Sequence, residues 1–126
     1  MRYKTIISEK DLKNNINNKD FIIFDSRCDI KDRGYGIDSY TEGHIENSIF
    51  VDVDTDLASE KQQGTGRHPL PKVETFCDKL SHWGMDNNKQ AVIYDDAGGA
   101  FAGRMWWMLK WLGHENVAVL DGGLNS

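Results

Sequence analysis

The sequence has little of what several special folds and sites require. Its 126 residues include only two cysteines and two prolines. Cys28 and Cys77 lie far apart without metal-ligand spacing, which argues against a disulfide scaffold and against a zinc site. No apolar stretch is long enough to span a bilayer, and no signal-peptide core follows Met1. We therefore expect a cytoplasmic protein with no metal, no cofactor and no contact with a membrane.

A run of like charge is also missing. The 15 basic and 20 acidic residues are interspersed and leave a formal net charge of -5. Without a basic stripe, the sequence argues against nucleic acid as a partner. The length and the hydrophobic fraction of 39% suffice for one core, so residues 1–126 are predicted to form a single globular domain.

Strand-like and helix-like segments alternate along the chain, which predicts βαβ units and a mainly parallel sheet. The predicted strands are 21–25, 48–53, 91–94 and 117–120. Ser8 and Asp11 resemble a capping box for a short helix. Further helices are predicted as a single turn at 40–45, a helix over 73–83 closed by Gly84, and a largely buried, tryptophan-rich helix over about 101–112. Segments 29–36 and 55–71 are interpreted as loops, and the second is long enough to indicate a function.

The turn after strand 91–94 is the first candidate site. A turn that joins a parallel strand to a helix is the usual ligand position in an open α/β sheet, because the helix N-terminus favours anions. A cysteine there would carry a persulfide or phosphoryl group readily. Asp95 and Asp96 occupy this turn instead. The residues alone favour a structural glycine turn with a solvated or capping Asp pair, and the lysine of a P-loop is missing.

The loop 64–71 is the second candidate site, because it contains His68 beside Arg67. Asp52 and Asp54 alternate at the end of a predicted strand and would therefore point to the same side. A carboxylate that orients a histidine, which in turn serves a hydroxyl or thiol, is a familiar relay. The spacing leaves open both this relay and a solvated or structural His68.

The remaining candidates carry weaker signals. Cys77 is predicted to pack on the apolar face of its helix as a small hydrophobe. Cys28 lies beside Arg27 and is the stronger candidate nucleophile of the two, although neither cysteine has a glycine-rich turn to cradle an anion. His44 is expected to satisfy a turn rather than to bind a ligand.

Seven segments occur in a characteristic order over nearly the whole chain. They are 24–27, 40–48, 50–54, 67–71, 92–95, 103–114 and 120–124. This ordered set resembles the rhodanese superfamily, specifically the N-terminal domain of tandem thiosulfate or 3-mercaptopyruvate sulfurtransferases. The resemblance implies a rhodanese-like α/β fold, with a five-stranded parallel sheet and helices on both faces.

The resemblance also implies roles for particular residues. In tandem members the catalytic cysteine follows the central strand and is kept only in the C-terminal copy, and Asp95 stands in that position here. By motif match, Asp54 and His68 would contribute a relay to the cysteine of the partner domain. The double-glycine turn at 121–126 normally leads into further structure. We therefore expect the chain to be the N-terminal half of a protein whose C-terminal rhodanese domain is its partner.

The implied reaction moves a sulfane sulfur from a small anion, thiosulfate or 3-mercaptopyruvate, to a thiophilic acceptor such as cyanide or a thiol. This half alone would be inactive. One alternative is a stand-alone, catalytically inactive rhodanese module with a binding or regulatory role. A related cysteine phosphatase is a second alternative, against which Asp95 argues because that chemistry needs a cysteine in its place.

Overall fold

The structure is a computed structural model that describes residues 3–29, 31–32, 34–53, 56–57, 72–86 and 88–121. The strands are β1 (Ile6–Ile7), β2 (Phe21–Asp25), β3 (Ser48–Phe50), β4 (Gln90–Tyr94) and β5 (Val117–Leu120). The helices are α1 (Glu9–Asn14), α2 (Tyr35–Glu42), α3 (Val73–His82) and α4 (Ala102–Trp111). The strands form one parallel sheet in the order β1-β5-β4-β2-β3, which confirms the predicted fold class and places β4 at the centre.

Alternate residues of the strands enter two separate cores, as a sheet covered on both faces requires. One core joins the sheet to α3 and α4, and its buried residues include Phe24, Ile93, Phe76, Leu80 and Met105. The other core lies on the opposite face with α1, and its buried residues include Ile7, Leu12, Ile23, Val92 and Tyr94. Helices therefore cover both faces of the sheet.

Three boundaries differ from those predicted. The strand β1 was not predicted, because its two residues carry no periodic pattern and Ile6 is exposed; it is defined by pairing with β5. Helix α2 begins at Tyr35, inside a segment predicted to be a loop, and β3 ends at Phe50 rather than at residue 53. The glycine that favoured a loop, Gly36, is needed for close packing, since a Cβ there would lie 2.3 Å from the Arg27 carbonyl oxygen.

Two predicted helix ends are confirmed, the start of α1 and the end of α3, whereas the single turn predicted at 40–45 is a helix that ends at Glu42. The Ser8 side chain accepts a hydrogen bond from the Asp11 N–H at 3.1 Å and caps α1. Gly84, with φ +90°, follows α3, and the N–H of Met85 then donates to the Leu80 carbonyl at 2.9 Å. This is a Schellman ending, which requires the left-handed conformation that glycine adopts without strain.

The prediction that α4 is largely buried is wrong for one of its faces. Trp107 and Trp111 are 48% and 45% exposed, and their rings stack with centroids 6.0 Å apart. The residues of α4 that enter the core are Ala102, Met105, Met108 and Leu109. Trp107 and Trp111, one helical turn apart, thus form an exposed stripe on α4, whereas its four buried side chains face the sheet.

Cys77 was also placed wrongly, because it is exposed. The apolar face of α3 that meets the core is formed by Phe76 and Leu80, and Cys77 lies one residue beyond Phe76, outside that face. Among the helices in the described part of the chain, none has both the length and the apolar character needed to cross a membrane.

Candidate functional site

The carboxyl edge of the sheet carries a group of buried polar side chains. Asp25 and Asp95, at or just after the ends of β2 and β4, are both almost completely buried. Arg27 is buried beside Asp25, and Ser48, the first residue of β3, is buried next to the Tyr94 hydroxyl. A parallel sheet brings the ends of neighbouring strands together, so Asp25 and Asp95 lie where an open α/β sheet usually binds its ligand.

Asp95 is held by four backbone donors. Its Oδ1 accepts from the N–H of Ala97 at 3.0 Å and of Gly99 at 2.9 Å. Its Oδ2 accepts from the N–H of Phe101 at 2.9 Å and of Ala102 at 2.8 Å. Four N–H groups therefore converge on one carboxylate, in the arrangement by which helix N-termini and backbone nests bind anions.

Local sequence explains why this cradle forms. Gly98 and Gly99 have φ values of +70° and +94°, which fold the loop back so that its N–H groups point inward. The residue that precedes α4, Phe101, has no side chain capable of capping. Asp95 supplies that cap from the end of β4, which agrees with a capping rather than a solvated Asp95. The donors of the cradle are thus already occupied by a side chain of the protein.

The end of β2 neutralises its carboxylate in a different way, with a cation. The Arg27 Nη2 lies 2.7 Å from Asp25 Oδ2, and its Nε contacts both carboxylate oxygens. Nη2 also donates to the Gly43 carbonyl at 2.7 Å. Burial by itself lowers the pKa of Arg27, but the hydrogen bonds and charge of Asp25 raise it above the usual value. This guanidinium stays charged and joins the β2 end to the loop that precedes β3.

Tyr94 lies at the centre of the buried group. Its hydroxyl donates to Asp25 Oδ2 at 3.0 Å and accepts from the Ile45 N–H at 3.1 Å. The Ser48 hydroxyl lies 3.1 Å away. Burial raises the pKa of Tyr94 to about 12, so that it is neutral at physiological pH. Tyr94 is therefore a fixed hydrogen-bonding group that holds the strand ends together.

Asp96 faces a third element, helix α2. Its Oδ2 accepts a short hydrogen bond from the Tyr35 hydroxyl in the first turn of that helix. This hydrogen bond, with burial and the charge of Asp96, raises the pKa of Tyr35. The two consecutive carboxylates of the turn thus have different partners: Asp95 binds the start of α4, and Asp96 binds the start of α2.

The remaining candidate residues from the sequence are Asp54, His68, Cys28 and His44. Asp54 and His68 lie outside the described residues, so their roles stay predictions. Cys28 is half-buried and packs against the core. The His44 Nδ1 lies 2.7 Å from the Tyr40 carbonyl, and the two rings stack at 3.8 Å. His44 therefore satisfies the end of α2, which confirms the structural interpretation.

The buried network of Asp25, Arg27 and Tyr94 was not identified from the sequence. Its signal was present, because a carboxylate and an arginine follow directly after an apolar strand, where charges must be paired to be buried. Within the described ranges, no three His, Cys, Asp or Glu side chains are grouped so as to hold a metal ion. Nor does the cradle at Asp95 offer a thiol or hydroxyl nucleophile, since residues 95–102 are Asp, Asp, Ala, Gly, Gly, Ala, Phe and Ala.

Comparisons with known proteins identify relatives of this chain. A family model described as "Rhodanese-like domain" matches residues 8–126. A probable 3-mercaptopyruvate sulfurtransferase of Pseudomonas aeruginosa is 40% identical over 121 residues, which cover 94% of this chain and 43% of that protein. The mitochondrial thiosulfate/3-mercaptopyruvate sulfurtransferase 1 of Arabidopsis thaliana is 35% identical over 120 residues, which cover 94% of this chain and 31% of that protein.

Solved structures agree with the sequence matches. The 3-mercaptopyruvate sulfurtransferase from Leishmania major superposes with a TM-score of 0.89 at 32% identity, over 97% of this chain and 33% of that one. This chain therefore spans less than half the length of each of these three relatives.

Proposed function

Because this chain belongs to the rhodanese family, we propose that it serves a sulfurtransferase as the non-catalytic N-terminal domain. The catalytic cysteine is supplied by a second rhodanese domain. Its thiolate attacks the sulfane sulfur of thiosulfate, or the thiol sulfur of 3-mercaptopyruvate, and becomes a persulfide as sulfite or pyruvate leaves. A thiol or cyanide then takes the outer sulfur and restores the cysteine. When cyanide is the acceptor, the product is thiocyanate.

The cradle filled by Asp95 supports a non-catalytic role. A cysteine would be activated there by the converging N–H groups and the start of α4, but these donors bind the Asp95 carboxylate. The four N–H groups that would otherwise be available to a persulfide or a sulfur-bearing anion are occupied by the buried carboxylate. We propose that Asp95 stands at the position of the lost cysteine and keeps the loop folded without a bound anion.

Asp54 and His68 are proposed to act on the cysteine of the second domain. Asp54 would orient the His68 imidazole, which would exchange a proton with the substrate or the cysteine. Their assignment follows from the motif match of segments 50–54 and 67–71 to the family pattern. The site would then lie between the two domains, at the carboxyl edge of the sheet described above.

The first experiment measures thiocyanate production by the 126-residue chain, with cyanide as acceptor and thiosulfate or 3-mercaptopyruvate as donor. We expect no turnover from the folded chain. The variants Cys28→Ser and Cys77→Ser identify the origin of any background. Turnover that disappears in Cys28→Ser would overturn the proposal, since the chain would then be an enzyme with a different nucleophile.

A second experiment tests His68 in a protein that also carries the cysteine-bearing domain. His68→Ala should lower the turnover of 3-mercaptopyruvate by about 100-fold or more, the usual contribution of a positioned acid or base. His82→Ala is the matched control, because His82 is exposed in the last turn of α3. Unchanged kinetics in His68→Ala, with an unchanged melting temperature, would remove His68 from the mechanism.

A catalytically inactive module with a binding role is the second candidate function. The exposed, stacked indoles of Trp107 and Trp111 favour it, because large apolar side chains side by side on a surface often mark an interaction site. The length of the natural protein discriminates between the two functions. A natural protein no longer than this chain, folded and without sulfur transfer, would support the binding module.

A further inference from the structure

The contact between Tyr35 and Asp96 joins the central turn of the sheet edge to helix α2. Asp96 is half-buried at the start of the turn, and its carboxylate accepts the Tyr35 hydroxyl hydrogen bond. The contact spans 61 positions of sequence and joins the first turn of α2 to the turn after β4.

The first turn of α2, which carries Tyr35, packs closely against the end of β2. Gly36 is buried, and a Cβ at this position would lie 2.3 Å from the Arg27 carbonyl oxygen and 3.0 Å from the Phe50 ring. Arg27 is itself fixed by its ion pair with Asp25. The backbone that carries Tyr35 is therefore held close to the end of β2.

The segment 97–100 that follows Asp96 has little packing of its own. Ala97, Gly98 and Ala100 are exposed. A Cβ built on Gly98 or Gly99 would meet no atom of the described residues within 4 Å. The inner side of the segment is bound by Asp95, and its start is bound through Asp96. Loss of the Tyr35 contact would remove the hydrogen bond that holds Asp96, the residue that leads into this segment.

We propose that Tyr35 and Asp96 are positioning residues, whose hydrogen bond holds segment 97–100 in the one shape that fits a second rhodanese domain. This inference rests on the proposed function, which places the active site between two such domains at this edge. The relatives above extend well beyond the matched region, which leaves room for that domain. A segment ordered in advance loses less conformational entropy when the domains pack together.

Hydrogen exchange in the 126-residue chain tests the positioning directly. The reporters are the amides of Ala97 and Gly99, which donate to Asp95. Tyr35→Phe should accelerate their exchange by about tenfold, as expected for loss of one hydrogen bond to a charged group. Tyr40→Phe is the matched control, since it removes a hydroxyl of the same helix that donates to Ser48 instead. Asp96→Asn, which keeps an acceptor, should have a smaller effect than Asp96→Ala.

Unchanged exchange of the two reporters in Tyr35→Phe would overturn the positioning role, and so would equal acceleration in Tyr40→Phe. In the two-domain protein, Tyr35→Phe should lower kcat/KM for 3-mercaptopyruvate by about 3- to 10-fold, in line with a lost ordering contact. A value equal to that of Tyr40→Phe would contradict the effect on domain packing. If the unmodified two-domain protein transferred no sulfur, the proposed function would fail, while the exchange result would still decide the role of Tyr35 and Asp96.

Discussion

The ends of β2 and β4 each bury a carboxylate, but they neutralise it by opposite means. Asp25 is paired with the guanidinium of Arg27 and with the Tyr94 hydroxyl, and it accepts a single backbone hydrogen bond, from the Arg27 N–H at 2.9 Å. Asp95 is surrounded by four backbone N–H groups from the turn and from the start of α4. One end depends on which residues are present, whereas the other depends on the shape of the backbone.

This difference determines which substitutions each of the two strand ends tolerates. A buried ion pair that loses one partner leaves an uncompensated charge, which costs more than the pair contributes to stability. A backbone cradle that loses its carboxylate leaves neutral N–H donors. Water or another anion then takes the place of the carboxylate, so the loss of stability is smaller. The β2 end is therefore a structural joint. We therefore expect the β4 end to retain the fold when its side chain is replaced, at a smaller loss of stability than at the β2 end.

The largest expected effect is at the β2 end. Asp25→Ala should lower the free energy of unfolding by about 3–5 kcal/mol, because Arg27 stays buried without its counter-ion. Urea titration measures the loss. The double variant Asp25→Ala/Arg27→Ala should cost less than the sum of the two single variants, because the pair couples strongly. Additive losses would show that the ion pair is not the stabilising unit.

A smaller effect is expected at the β4 end. Asp95→Ala should lower the free energy of unfolding by about 1–3 kcal/mol, since four neutral donors are left unpaired. Formate, a carboxylate without a side chain, should occupy the cradle and restore about 1.4 kcal/mol at ten times its Kd. The unmodified chain at the same formate concentration is the control. No stabilisation of Asp95→Ala by formate, beyond that seen with chloride, would mean that the cradle closes when Asp95 is removed.

Sequence patterns were sufficient for those parts of the fold that local chemistry controls. The apolar runs of β2 and β4, the Ser8 cap and the glycine after α3 each carry their own signal. The start of α2 could not be predicted in this way, because it depends on the contact of Gly36 with the distant Arg27 and Phe50. The exposed side of α4 could not be predicted either, since hydrophobicity alone does not say which apolar face meets the sheet.

The candidate site likewise has features that a sequence pattern predicts and features that depend on the folded backbone or on distant contacts. The place of Asp95 at the end of a central strand follows from the strand–turn–helix pattern, and the resemblance added the prediction that it stands in the position of a cysteine. The number of donors around Asp95 could not be predicted, since it depends on the φ values of Gly98 and Gly99 in the folded loop. The contact of Tyr35 with Asp96 joins residues 61 positions apart, and no local pattern connects them.

The smallest expected effect is a dependence of the unfolding free energy on pH, which the contact of Tyr94 with Asp25 should show and the Asp95 cradle should not. The folded-state pKa of Tyr94, about 12, lies above the value of about 10 for an exposed tyrosine. The neutral hydroxyl therefore contributes its stability fully below pH ~10, and that contribution is lost as the pH rises toward ~12. The difference in unfolding free energy between the unmodified chain and Tyr94→Phe should be constant from pH ~7 to ~9 and shrink by pH ~11.

The β4 end supplies the control for this pH dependence. Its cradle donates only backbone N–H groups, which do not titrate in this range. The difference between the unmodified chain and Asp95→Ala should therefore be the same at pH ~8 and ~11, because other titrating groups affect both proteins equally. Urea titrations at the two pH values measure both differences. If the Asp95→Ala difference shrank as much as that of Tyr94→Phe, the two ends would not be independent, and alkaline pH would be loosening the whole sheet edge through Tyr94.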